Sequence, residues 1–382
     1  MKPIYLDYAA TSPVRTEVRE AMLPFMGECF GNPSSLHRWG RAARAALDDA
    51  RARIAAVLGA GPMEIVFTRG GTEADNLAVL GRAHCVPRSP VVCSAIEHKA
   101  VLATARAAAR VTGSSFHVVP VDGNGVVRED EVYALLEQRP SVVSVMWANN
   151  EVGTVQPTER LAERCKEAGT VFHTDAVQAF GKLPVRVDRV PVCMLSLSAH
   201  KVGGPKGVGA LYVRQGTRLH PLVYGGSQER GLRPGTEDVA GAVGFAVAAE
   251  LAERDRETEM RRLRALRDRL EAGLCAAIPD LVVNAAGAER LPTVLSACIP
   301  GVDSGMLIPA LDLEGIAASG GSACNSGAAE PSHVLTAMGL PVQVAAPSLR
   351  FSLGKETTEA EIDRVLAVVP QVVERLRTPV EA

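Results

Sequence analysis

Lysine is scarce in this chain of 382 residues, standing only at 2, 99, 166, 182, 201, 206 and 355 among 41 lysines and arginines. A bias of that kind follows from the nucleotide composition of a genome. It also leaves few amines to compete for any role that needs a deprotonatable nitrogen. Aromatic residues make up 4% of the chain, too sparse for a platform on which bases stack. The net charge of -2 lacks the basic excess of a nucleic-acid footprint. No run approaches the roughly 20 apolar residues of a membrane span, and the start, MKPIYLDYAATSP, lacks the apolar stretch of a secretory signal. Cysteines stand at 29, 85, 93, 165, 193, 275, 298 and 324, with no C-x-x-C pair, so zinc and thioredoxin-like motifs have no support and no metal is expected. Cys93, Cys193 and Cys298 sit in apolar runs and read as small buried hydrophobes. Free thiols without an export signal point to a reducing cytoplasm. There is no internal repeat and no low-complexity tail.

What the chain does have is apolar material: 47% of its residues, enough at this length for two domains. Short apolar runs at 64–68, 91–96, 116–119, 142–148, 171–174, 192–198 and 208–213 read as strands. Amphipathic stretches such as 99–110, 129–138 and 158–168 lie between them. This alternation predicts an α/β fold with a mostly parallel sheet covered by helices. A helix is expected from the Asn32-Pro33-Ser34-Ser35 turn to Gly59, with residues 1–14 irregular. From Val239 to about Ala277 a long helix carries a charged, solvated face. Shorter strands (281–284, 293–299, 348–353) and helices (304–314, 331–338, 358–376) follow. The expected division is a large domain over 15–255 and a smaller α+β domain over 1–14 and 256–382.

Ligands of open α/β sheets bind at the carboxyl ends of the strands, and several polar residues fall there. Gly70, Gly71 and Thr72 open a helix after the first strand and could cradle a phosphate, although a Gly-Gly turn before a helix is common. Asp175 could pair with a protonated ring nitrogen or merely cap a helix. Gln178, three residues on, would share its face. Lys201 lies in SAHKVGGPKG; most loop lysines are solvated, but its Ser, His and Gly neighbours favour a Schiff-base amine. His98 follows a strand and could stack on a flat ring or be purely structural. Asn150 could bond a phenolic oxygen or a carboxylate. Cys324 sits in AASGGSACNSGAAEP with no bulky apolar neighbour, which suits a travelling nucleophile about as well as an inert thiol. Arg350, on a probable strand, could grip a carboxylate or form a structural ion pair.

These segments together resemble the cysteine desulfurases, in the class V aminotransferase group of fold-type I pyridoxal-phosphate (PLP) enzymes. The likeness runs over essentially the whole chain, through YLDYAATSP, FGNPSSLHRWG, FTRGGTEADN, EHKAV, NNEVGTVQP, HTDAVQAFGKLP, SLSAHKVGGPKGVGALYV, RPGTEDV, SGGSACNSG, EPSHVL and SLRFSLG. The resemblance implies a fold-type I PLP-dependent transferase with a seven-stranded sheet in its large domain. It implies that Lys201 holds PLP and shuttles protons, that Asp175 keeps the ring nitrogen protonated, that Gln178 bonds the ring oxygen and that His98 stacks over the ring. Gly71, Thr72, Ser198 and His200 would bind the phosphate. Thr236 would reach the phosphate of the neighbouring subunit, making a homodimer with shared sites. Asn150 and Arg350 would place the substrate carboxylate, and Asn32 would lie at the substrate mouth. Cys324 would take sulfur from L-cysteine as a persulfide, release L-alanine, and pass the sulfur to an acceptor protein for iron–sulfur clusters or for thiolation of tRNA or a cofactor.

Two features bear on that expectation. Gly320 replaces an expected serine, adding backbone freedom. The chain ends at RLRTPVEA without the longer tail by which housekeeping members dock a scaffold protein, so a long loop in which Cys324 itself carries sulfur outward is expected. The rival readings are a selenocysteine lyase, another class V enzyme such as an aminotransferase, and a non-catalytic sulfur carrier. An aminotransferase has no use for the thiol, and a carrier has no use for Lys201, Asp175, His98 and Gln178.

Overall fold

The structure is a computed structural model that describes residues 3–302, 304–320 and 332–377. Its centre is a seven-stranded sheet: β1 (Ile65–Thr68), β2 (Val91–Ser94), β3 (Phe116–Val119), β4 (Val142–Ser144), β5 (Phe172–Asp175), β6 (Met194–Ser198) and β7 (Gly209–Val213). The spatial order is β1-β7-β6-β5-β4-β2-β3. Strands β3, β2, β4, β5 and β6 are mutually parallel, and β7 runs antiparallel to both β6 and β1. The inner strands are apolar on both faces because both faces are covered. Ile65 and Phe67 point into one core and Val66 into the other, as strand alternation requires. Helices Gly71–Cys85 and Lys99–Thr112 pack on the Val66 side with Leu77, Ala78, Val101 and Ala105. Helix Arg38–Leu58 packs on the other with Leu47 and Ile54.

The helix Val239–Ala277 serves two cores. Phe245 and Ala249 join the sheet's core, whereas Leu263, Leu266, Leu270 and Leu274 join a separate cluster. That cluster includes Ile362, Val365 and Val369 of helix Glu359–Arg377, and Leu295, Leu349 and Phe351 of a small antiparallel sheet. The small sheet runs Ser348–Ser352, Val294–Cys298, Val282–Val283.

The structure corrects some local expectations. Residues 1–14 are not all irregular. Ile4–Tyr5 pairs with Ile316–Ala317, and Asp7 bridges to Ser352, which pins the N-terminal segment against the small sheet. An unforeseen helix spans Thr16–Met26. The next helix begins at Arg38 and not at the Ser34-Ser35 turn: His37 Nδ1 caps Gly40 N at 3.3 Å, while Ser34 N is taken by Asn32 Oδ1 at 2.9 Å. Strand β4 ends at Ser144 and not at Ala148, because Met146 N turns to the Glu97 carboxylate at 2.7 Å. Residues 176–182 form successive turns where a helix was expected.

Candidate active site

A cleft of about 310 Å³ opens at the carboxyl ends of the parallel strands, beside the small sheet. It is lined by Gly71, Thr72, His98, Asn150, Asp175, Gln178, Ser198, His200, Lys201 and Arg350, ten residues singled out in the sequence, together with Asp75 and the Ala9-Ala10 segment. Asn32 and Thr236 do not line it and are exposed. Cys324 lies outside the described residues.

Each side chain has a local reason for its place. Helix Gly71–Cys85 points its N-terminus at the cleft, and no side chain caps it. Its first N–H groups therefore face the cleft as unshared donors, which suits an anion. Gly70 has φ +144°, a conformation that only glycine adopts at low cost. Ser198 ends β6, and Ala199–Lys201 forms a single tight turn that brings His200 and Lys201 to the same rim. His200 Nδ1 meets Thr11 Oγ1 at 3.1 Å. Burial, then the nearby Lys201, Lys206 and Lys182, lowers its pKa to about 4 and leaves the ring neutral at pH 7. Lys201 Nζ donates to Ala9 O at 2.6 Å and to Ala10 O at 2.7 Å, so the N-terminal segment forms the wall that aims the amine.

Asp175 ends β5 and is buried. Its Oδ1 accepts from Val177 N at 2.9 Å. Burial raises its pKa, while His98, the Val177 N–H and Lys201 pull it back. A cationic ring nitrogen beside it would strengthen that pull and hold it ionised. Beneath lies a carboxyl that sequence reasoning missed. Asp75 is buried, its Oδ1 has no hydrogen-bond partner among the described residues, and burial followed by the Asp175 charge pushes its pKa well up. Asp75 Oδ1 is 3.7 Å from His173 Nε2, and His173 is held by Ser144 at 2.8 Å and Ser196 at 2.9 Å. Burial drops His173 to about 3, so this layer is uncharged at its centre.

His98 caps the helix Lys99–Thr112, its Nδ1 accepting from Ala100 N at 3.1 Å, and its ring lines the cleft. Asn149 pins the turn that presents Asn150: its Oδ1 accepts from Glu151 N at 2.8 Å and Val152 N at 3.0 Å. Arg350 crosses from the small sheet. Its Nη1 donates to Asn150 O and its Nη2 to Asp7 Oδ1, each at 2.8 Å, and its buried Nε has no partner among the described residues.

The residues that flank 321–331 are also fixed at the rim. Ser319 exchanges backbone hydrogen bonds with Arg350, at 2.7 and 3.2 Å. Ser332 Oγ binds the Glu151 carboxylate, and His333 Nε2 meets Glu97 O at 2.9 Å. Cys324 is four residues from Gly320, a reach of at most about 14 Å in extended chain. The partners Asp7, Asp75, Glu97, Glu151 and the Ala9 carbonyl carried no signal in the sequence, because each acts through a contact distant along the chain.

The model of the family Aminotransferase class-V matches residues 4–365. A cysteine desulfurase IscS of Dictyoglomus turgidum is 45% identical over 379 residues, 99% of this chain and 96% of its own. The chain belongs to the cysteine desulfurases. Among solved structures, a NifS-like protein superposes with a TM-score of 0.91 at 37% identity, covering 98% of this chain and 100% of its own. A structure described as SspA in complex with cysteine has a TM-score of 0.79 at 37% identity, covering 92% of this chain and 98% of its own. The fold is that of the fold-type I enzymes of this family, and their cofactor is PLP. The cleft fits it: an uncapped helix N-terminus for a phosphate, a buried carboxylate for a ring nitrogen, and a lysine amine between them. Among the described residues, no helix is long and apolar enough to cross a membrane.

Proposed function

We propose that this chain removes sulfur from L-cysteine, with Lys201 as the amine that holds PLP and moves the substrate's α-proton, and Cys324 as the thiol that receives the sulfur. The observation that carries the reading is one cleft in which an amine, a buried carboxylate, an uncapped helix N-terminus and a buried arginine face one another. PLP supplies an electron sink for the substrate's α-carbon. Asp175 keeps the sink effective by holding a proton on the ring nitrogen. Gln178 would donate to the ring oxygen, His98 would cover the ring, and Gly71, Thr72, Ser198 and His200 would hold the phosphate.

Arg350 and Asn150 hold the substrate carboxylate, which fixes the α-carbon against Lys201. The Cys324 thiolate attacks the substrate sulfur. An S–S bond forms, the C–S bond breaks, and its electron pair stays with the substrate carbon, which takes up protons to become L-alanine. Cysteine plus thiol thus becomes alanine plus persulfide, with no external oxidant. An acceptor protein then takes the outer sulfur for an iron–sulfur cluster or a thiolated product.

The working unit in this reading is a homodimer. Thr236 is exposed and away from its own cleft, as a residue serving a partner's phosphate must be. Phe30, Leu36 and Tyr224 are 73%, 90% and 75% exposed, apolar surface of the kind a second copy covers. Asn32, beside Phe30, would reach the partner's substrate mouth by the same route. The domain boundary falls within Val239–Ala277, near residue 255, between the two sets of core residues that this helix supplies. The test is product analysis on PLP-loaded protein. Equimolar alanine and sulfide from L-cysteine with a thiol reductant support the reading, and PLP bound without either product contradicts it.

A further inference from the structure

Gln178 is the residue whose amide must be turned the right way round. Its Oε1 only accepts and its Nε2 only donates, and the shape of the side chain hardly distinguishes the two orientations. Something in the fold has to choose.

The choice is made from behind the cleft. Lys182, four residues on, is tethered by the turns that follow Asp175. Its Nζ donates to Gln178 Oε1 at 3.1 Å and to Gln178 O at 3.0 Å. Gln178 Nε2 donates to Ala9 O at 2.9 Å, and Ala9 O also accepts from Lys201 Nζ at 2.6 Å. One line of contacts therefore runs Lys182, Gln178, Ala9, Lys201. Lys182 also lines a second cavity of about 200 Å³ on the far side, together with Lys201, Tyr8 and Gly181. It thus sits at the back wall and out of the cleft's own lining.

We propose that Lys182 is a positioning residue that locks the Gln178 amide with its oxygen backward and its nitrogen forward, leaving one N–H for an oxygen of the group held in the cleft. An ammonium has three donors and no acceptor, so it accepts only the amide oxygen as its neighbour. Burial, then Lys201 and Arg350, lowers the pKa of Lys182 to about 7. The neutral amine still has two N–H bonds, enough for both Gln178 oxygens. Were the amide reversed, Nε2 would face the donors of the ammonium and Oε1 would face Ala9 O, an acceptor. Both contacts would then be lost together with Lys182 protonated, and the Ala9 contact would be lost even with the neutral amine.

The inference rests on the PLP reading of the cleft, and the test separates the two. PLP-loaded wild type, Lys182→Met, Lys182→Arg, Gln178→Ala and the double variant Lys182→Met/Gln178→Ala are compared by the visible absorption band of the bound cofactor. Turnover and thermal melting are recorded alongside. Lys182→Met should shift the band and lower turnover roughly tenfold, the effect of one hydrogen bond at the reacting group. Lys182→Arg, which keeps a donor-only head, should restore the wild-type band. In the Gln178→Ala background, Lys182→Met should add nothing. A shift of equal size with and without Gln178, or no shift at all, overturns the proposal. If Lys182→Met melts too low to use, an altered band in Lys182→Arg overturns it and an unaltered one supports it. Wild type that takes up no PLP would overturn this inference and the functional reading together.

Discussion

Arg350 and Asp7 form an ion pair at 2.8 Å across nearly the whole chain, with the arginine side chain 2% exposed and the aspartate side chain 21% exposed. The pair joins the small sheet to the N-terminal segment and holds an arginine at the mouth of the cleft. Asp7 occupies one edge of the guanidinium and Asn150 O another, while Nε has no partner among the described residues. On the proposed reading, a substrate carboxylate would meet an arginine whose position is already fixed, with little ordering left at binding.

Replacing Arg350 with alanine should act twice. The KM for cysteine should rise roughly 10- to 100-fold, since a charge-assisted contact to the carboxylate is lost. The protein should also lose on the order of 2 kcal/mol of stability, because Asp7 and the Asn150 carbonyl lose a charge-assisted donor. Lysine should restore little, as it lacks the planar fork. Steady-state kinetics and denaturant melts read the two effects separately.

Lys201→Ala should abolish the visible absorbance of the PLP-loaded protein that borohydride removes. The nearby Lys182 and Lys206 should not substitute, because Lys201 alone is aimed by the Ala9 and Ala10 carbonyls. A variant that keeps a reducible visible band would exclude Lys201 from that role.

The proposed sharing of sites between two subunits predicts complementation. Thr236→Ala alone should weaken PLP binding about tenfold, the cost of one phosphate contact. Mixed dimers with Lys201→Ala subunits should recover one tight site each, because the intact Thr236 then faces the intact Lys201. Titration of the mixed species with PLP counts those sites; their absence would mean that each chain completes its own cleft.

Glu97 gives a pH prediction. It is fully buried, its Oε2 has no hydrogen-bond partner among the described residues, and burial raises its pKa from 4.5 to about 8. The folded state thus keeps a proton that the unfolded state releases above pH 4.5. Stability should fall as pH rises from about 4.5 to about 8, by on the order of a few kcal/mol from this group. Glu97→Gln should flatten that slope, and denaturant midpoints across the range will show it.

Much of this was legible in the sequence, for a physical reason. Strands buried on both faces must be apolar, so Val91–Ser94 and Met194–Ser198 stand out by composition. The long helix Val239–Ala277 stands out by length and charge. Residues at or just after strand ends, such as Asp175 and Lys201, could be singled out because the fold class says where ligands bind, and the structure brings both to one cleft. What could not be read was pairing across the chain. Asp7 with Arg350, Ala9 with Lys201 and Ser332 with Glu151 are contacts of tertiary structure, and neither partner advertises the other. Local turns were also misjudged. The start of helix Arg38–Leu58 is set by the His37 cap, which residue type alone ranks below the serines before it.

The central claim is that Cys324 receives the sulfur. The most direct measurement is a single turnover of PLP-loaded protein with L-cysteine, followed by alkylation and mass mapping of every cysteine. One extra sulfur atom on the Cys324 peptide, with one alanine released per sulfur bound, is the predicted result, and Cys324→Ala should bind PLP yet show neither. Alanine formed at the wild-type rate by Cys324→Ala, or sulfur found on another cysteine, would contradict the account.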